Sequence, residues 1–101
     1  MNDNVDMEKM RVQAGKAVSL LKAMSNENRL LILCHLGERE MSVSELNVCI
    51  DLSQSSLSQH LARLRKDGLV STRRESQTIY YSINNDIAMK LIGLLHGEYC
   101  G

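Results

Sequence analysis

The stretch Leu52–Val70, LSQSSLSQHLARLRKDGLV, decides how the rest of the chain is read. Leu57, Leu61 and Leu64 recur at the spacing of one helix face, Ser53 stands where an N-cap belongs, and Gly68 ends the run. The other face carries Gln54, Ser55, Ser58, Gln59, Ala62 and Arg63. Exposed helix surfaces ordinarily favour Glu, Lys and Gln, because a serine hydroxyl competes with the backbone for hydrogen bonds. Four serines among residues 53–58 therefore call for a reason other than helix propensity.

Working upstream, Ser42 followed by Glu45 is a capping box and starts a short third helix, VSELNVCI. A second helix opens after Ser25 or Asn26, contains RLLILCHL and stops at Gly37, where a left-handed cap is expected. Met10, Ala14, Ala17, Leu21 and Met24 form one stripe of an amphipathic first helix. Downstream of Gly68 the period changes to two. LVSTRR and TIYYSI, rich in β-branched and aromatic residues, flank a short polar tip, ESQ, and predict a hairpin whose turn lacks the usual glycine. Asn84 or Asn85 caps a last helix with Ala88, Leu91, Ile92, Leu95 and Tyr99 on one stripe. Ile87 and Leu94 widen that stripe until it covers more than half of the helix, which asks for a partner.

Length and composition bound the possibilities. A chain of 101 residues makes one domain, residues 1–101, whose core is marginal alone. No apolar run approaches the roughly 18 residues of a membrane span, and the start, MNDNVDMEKM, lacks the apolar centre of a secretory signal, so a soluble, cytoplasmic protein is expected. Three cysteines at irregular spacing argue for reduced thiols rather than a disulfide framework. Net charge is zero, yet its distribution is uneven. Residues 1–50 carry six basic and seven acidic side chains; residues 51–74 carry five basic ones against Asp51 and Asp67; the remainder holds Lys90 against three acids. Positive charge is concentrated in the segment that carries the serines.

Two short helices joined by a tight turn, the second polar and flanked by basic residues, followed by a hairpin, compose a winged helix-turn-helix: mainly α, ordered α-α-α-α-β-β-α. That explains the serines. A helix pressed into a groove about 12 Å wide needs short hydroxyl and amide side chains that reach base edges without clashing. Its N-terminus adds partial positive charge towards a phosphate. Gln54, Ser55, Ser58 and Gln59 are the candidates for base edges or adjacent phosphates, with Ser56, His60 and Gln77 in the same candidate set. Arg63, Arg65 and Lys66 suit backbone phosphates, as do Arg73 and Arg74 near the wing tip. His60 fits a core edge equally well, and solvated charge is an alternative for Arg73 and Arg74. A helix-turn-helix used for protein contacts, without DNA, is the alternative from another class. Catalysis has no support: there is no CxxC, no Gly-rich phosphate loop, and no nucleophile with its base and acid.

Over nearly its whole length the chain resembles the ArsR/SmtB family of bacterial winged-helix repressors, through LKAMSNENRLLILCHL, the serine-glutamine helix with LRKDGLV, and the tyrosine-containing STRRESQTIYYSI. The resemblance implies a homodimer through the first and last helices, reading double-stranded DNA at a pseudo-palindrome whose half-sites lie roughly 34 Å apart. It also implies a sensor. One metal site of the family needs paired thiolates where this chain has Asn47, Val48 and Cys49; another needs Asp-x-His where it has Asp86, Ile87 and Ala88, leaving His96 and Glu98 near the end. Neither supplies four ligands, so no metal or other cofactor is expected, and Cys49 reads as a semi-buried small hydrophobe. A metal-responsive repressor stays as an alternative.

Cys34 and Cys100 match the positions of the cysteine pair in the thiol-sensing branch of that family, that of the HlyU, BigR and SqrR regulators. The resemblance thus implies a regulator, repressor or anti-repressor, switched by an oxidant or by reactive sulfur. A disulfide would require the two Cα atoms to lie about 4.4 to 6.8 Å apart. His96, four residues before Cys100, would favour its thiolate, leaving Cys34 as the resolving partner.

Overall fold

Leu57, Leu61 and Leu64 are fully buried in the computed structural model, which describes the backbone of residues 3–100 and the side chains of residues 6–100. The order is α1 (Asp3–Met24), α2 (Glu27–Leu36), β1 (Met41–Ser42), α3 (Val43–Cys49), α4 (Gln54–Lys66), β2 (Val70–Glu75), β3 (Thr78–Ile83) and α5 (Asp86–Tyr99). This is the expected winged helix-turn-helix, with one added strand. β1 is two residues long and pairs antiparallel with β3, Met41 opposite Tyr81 and Ser42 opposite Tyr80, so the sheet runs β1-β3-β2. Nothing local announces so short a strand, because its pairing depends on a partner some 40 residues away.

The helix starts follow the side-chain chemistry. Asn26 caps α2 by accepting from the Asn28 and Arg29 N–H groups, and Asn85 caps α5 by accepting from Ala88 N–H. At α3 the capping box is complete: Glu45 N–H donates to Ser42 Oγ at 3.2 Å, and Ser42 N–H donates to the Glu45 carboxylate at 3.0 Å. Helix ends differ from the expectation at Gly37. Its φ of −64° is right-handed, so no left-handed cap is formed there. The glycine serves a close approach instead, since a Cβ at that position would lie 3.3 Å from Ile92 Cγ2 on α5. Left-handed backbone falls at Gly68 (φ 77°), which follows α4, and at Ser76 (φ 55°). Glu75 pairs with Thr78, so the hairpin turn is the two-residue Ser76-Gln77 rather than the three-residue tip ESQ, and Ser76 supplies the positive φ without a glycine.

The core lies where α4 meets α2, α3 and the base of the wing. Ile32 and Leu33 from α2, Leu46 from α3, the three α4 leucines and Leu69 are sealed together. Asn47 Nδ2 donates to the Leu52 carbonyl at 2.7 Å and ties down the turn between α3 and α4. The outer helices are another matter. α1 meets the body near its C-terminal end, where Ala23 and Met24 are buried and Arg29 Nε donates to the Ala23 carbonyl at 2.7 Å. The rest of its stripe is exposed, Met10 at 70% and Leu21 at 53%. A helix of this length extends about 33 Å, and the molecule measures 54 × 31 × 21 Å, so α1 reaches well beyond what the chain itself covers. On α5 only Ala88 and Ile92 are buried, while Ile87, Leu94 and Tyr99 face outward.

Candidate nucleic-acid interface and the thiol pair

Ser53 Oγ accepts from Ser56 N–H at 3.1 Å and opens α4, whose first turn holds no acidic residue to offset the positive end of the helix dipole. With the leucines turned inward, Gln54, Ser55, Ser58 and Gln59 are exposed along the other side, and Arg63, Arg65 and Lys66 are exposed in the last turn. Ser56 and His60 are half-buried at the edge between these faces, and His60 keeps both of its readings. Arg63 Nε donates to Asp67 at 2.8 Å across one helical turn, so part of its charge is shared.

At the wing the two arginines diverge. Arg74 Nε donates to the Ser76 carbonyl at 3.2 Å and helps to fix the exposed tip that Gln77 completes. Arg73 is held on three sides: Nη2 and Nε reach the two oxygens of Glu40 at 2.6 and 3.2 Å, Nη1 reaches Glu75 at 3.0 Å, and the guanidinium lies 4.8 Å from the centroid of the Tyr80 ring. The hydrogen bond from Arg73 holds the Glu40 carboxyl below its usual range. Sequence could have flagged Arg63 with Asp67 from their spacing of four. No local signal points to Glu40, 33 residues from Arg73.

The three cysteines are free thiols. Cys34 is half-buried on α2, and Cys100 is exposed at the end of α5, its N–H donating to the His96 carbonyl at 2.8 Å. Both line one apolar groove of about 260 Å³ between α2 and α5, walled by Leu30, Leu31, Leu95 and Tyr99, with His96 also at its surface. Cys34 and His96 border a second groove of about 170 Å³ beside Gly37, Glu38 and Met89. Burial pushes the Cys34 thiol above its ordinary pKa, with smaller contributions in the same direction from Cys100 and Glu38. Cys49 departs from expectation: it is exposed, not semi-buried, because Leu46 and Ile50 take the inward positions at the end of α3 while Cys49 and Val48 point out. Among the described residues no three His, Cys, Asp or Glu side chains come together as metal ligands, and no helix is long and apolar enough to cross a membrane.

Comparison with known proteins places this geometry. The family model for bacterial regulatory proteins of the arsR family matches residues 26–72, from the N-cap of α2 into β2. The transcriptional activator HlyU of Vibrio cholerae serotype O1 is 52% identical over 96 residues, which cover 95% of this chain and 89% of that protein. The structure of reduced HlyU from Vibrio cholerae N16961 superposes with a TM-score of 0.89 at 53% identity, covering 93% of this chain and 99% of that one. The transcriptional repressor BigR from Xylella fastidiosa gives a TM-score of 0.84 at 38% identity, with 93% of each chain covered. The homodimeric winged helix-turn-helix DNA-binding domain Mb0332 from Mycobacterium bovis gives 0.76 at 27% identity, covering 87% of this chain and 82% of that one. These relatives are regulators rather than enzymes. The chain, matched over most of its length by such regulators, belongs to the ArsR family of DNA-binding transcriptional regulators.

Proposed function

We propose that the chain acts as a homodimer that grips a pseudo-palindromic operator with α4 and lets go, or changes its grip, when Cys34 and Cys100 are joined. The observation that carries the DNA half is the division of α4: three leucines with no exposed surface on one side, and Gln54, Ser55, Ser58 and Gln59 free on the other. These four read base edges or adjacent phosphates; Ser56 and His60 flank them, and Arg63, Arg65, Lys66, Arg74 and Gln77 hold the backbone. Support for the dimer comes from the uncovered stripes of α1 and α5, together with the homodimeric relative from Mycobacterium bovis. In such a dimer the two α4 helices meet half-sites about 34 Å apart.

The thiol half rests on the shared groove. Cys34 rides on α2, which packs against the reading head, and Cys100 on α5, which carries the uncovered stripe. Joining them fastens one to the other and alters the spacing of the α4 pair. Two thiols give up two protons and two electrons. A peroxide takes them and leaves as water or an alcohol with water; a persulfide takes them and leaves as a thiol with hydrogen sulfide. Cys100 is exposed, whereas Cys34 is half-buried and its thiol pushed up by burial, so Cys100 attacks the oxidant first and Cys34 closes the bond.

Binding to duplexes selected by the parent protein from a random pool, measured with and without a peroxide or a persulfide donor, tests both halves. Arg63→Ala weakens binding to every sequence and lowers the salt slope by up to about 0.9, while Gln59→Ala changes base preference. Both variants behaving as the parent would remove α4 from the interface. Oxidant weakens binding by the parent but not by Cys34→Ser, and mass spectrometry finds a Cys34–Cys100 peptide lighter by two hydrogens. An equal response in both proteins ends the thiol reading and leaves the DNA reading standing.

A further inference from the structure

We infer that Arg73 is the strut that sets the wing against the helix-turn-helix, not a phosphate contact. The sheet order β1-β3-β2 puts β2 and β1 on opposite sides of β3, with no hydrogen bond between them. Arg73 spans that gap. It leaves β2 opposite Tyr80, its direct partner on β3, lays its guanidinium over the Tyr80 ring, and meets Glu40, the residue immediately before β1, with a two-pronged contact. Ser42, paired with the same Tyr80, is the N-cap of α3. One side chain therefore connects the wing to the start of the reading unit, 33 residues apart in sequence.

Charge points the same way. Glu40 and Glu75 both bind Arg73, so the trio carries one negative charge overall, and a phosphate approaching it meets repulsion rather than attraction. Arg74 next door donates to a neutral carbonyl and keeps its positive charge for the duplex. Exposed pairs taken singly contribute little, but a two-pronged guanidinium that also stacks fixes direction as well as distance. Arg73 is thus a positioning residue: it acts through the placement of Arg74 and Gln77.

Charge reversal tests this. Arg73→Glu, Glu40→Arg and the double variant are assayed by fluorescence anisotropy against a duplex that the parent selects from a random-sequence pool, at several potassium chloride concentrations. Arg73→Glu weakens binding about tenfold, and the double variant, which restores opposite charges across β3 and the parent's net charge, returns to within about twofold of the parent. A phosphate contact gives the opposite result, a double variant as weak as Arg73→Glu, and would overturn the assignment. Arg73→Gln, the gentler change, is first checked for an unaltered melting profile. It lowers affinity about fivefold while the slope of log K against log salt stays at the parent's value, whereas a slope reduced by about 0.9 would mark a lost phosphate contact and refute the strut. Unchanged affinity in all four variants refutes it equally.

Discussion

α4 and α5 are helices of nearly equal length, 13 and 14 residues, both carrying aliphatic stripes, yet their stripes end in different places. Every leucine of α4 is sealed inside the protomer; on α5, Leu94 is 70% and Tyr99 81% exposed. α4 sits at the centre of its own chain, with α2, α3 and the wing packed round it. α5 packs on α2 through Ala88 and Ile92, while Ile87, Leu94 and Tyr99 remain uncovered. α1 shares that state from the other end of the chain. The contrast is one of completeness: the middle of the chain buries its own stripe and presents a polar face, whereas the helices at its two ends leave apolar side chains uncovered within the protomer.

The largest effect is expected on the sealed side. Leu61→Ala removes a side chain with no exposed surface and leaves a cavity bounded by α2 and α3 residues, which should lower the unfolding free energy by about 3 kcal/mol in a urea titration. A loss below about 1 kcal/mol would mean that the α4 stripe is not the centre of the core. On the open side the expected change is in association. Leu94→Glu should leave the circular dichroism of the protomer intact while costing the dimer about 2 kcal/mol, roughly thirtyfold in the dissociation constant by sedimentation equilibrium, since the position occurs twice in a two-fold interface. Unaltered association would show that the α5 stripe is covered by something other than a second copy.

The same division governs what could be read from the amino acids. Features settled within one turn of chain were legible: Ser53 before α4, the Ser42 and Glu45 box, Asn26 before α2, the leucine spacing. So was the serine face, because short polar residues at propensity-poor positions signal a task other than folding. Illegible features depended on distant partners. β1 exists only because β3 is there to pair with it. Gly37 ends α2 as expected, but without left-handed backbone, and its small size is used against Ile92 on another helix. Arg73 looked like Arg74, and the contact that ties it across the sheet, to Glu40, comes from 33 residues away. The α1 stripe was plain in sequence, and within the protomer only Met24 of it is buried.

The smallest effect tests how far the self-finished half extends. Glu45 sits below its usual pKa, chiefly because Ser42 N–H donates to it and then because Arg39 Nη1 lies 3.0 Å away. A carboxyl depressed in the folded state stabilises it above the unfolded value, near 4.5, and that contribution disappears as pH falls through the lower folded value. Stability of the parent measured from pH 6 down to pH 3 should therefore fall more steeply than that of Glu45→Gln, which keeps an acceptor for the cap but cannot titrate. Glu40, depressed by Arg73, is present in both proteins and contributes equally to their acid limbs. Parallel acid limbs would mean that the charge of Glu45 adds nothing to the α3 cap beyond what a neutral acceptor supplies. The start of α3 would then be held by the Ser42 Oγ bond and the burial of Leu46.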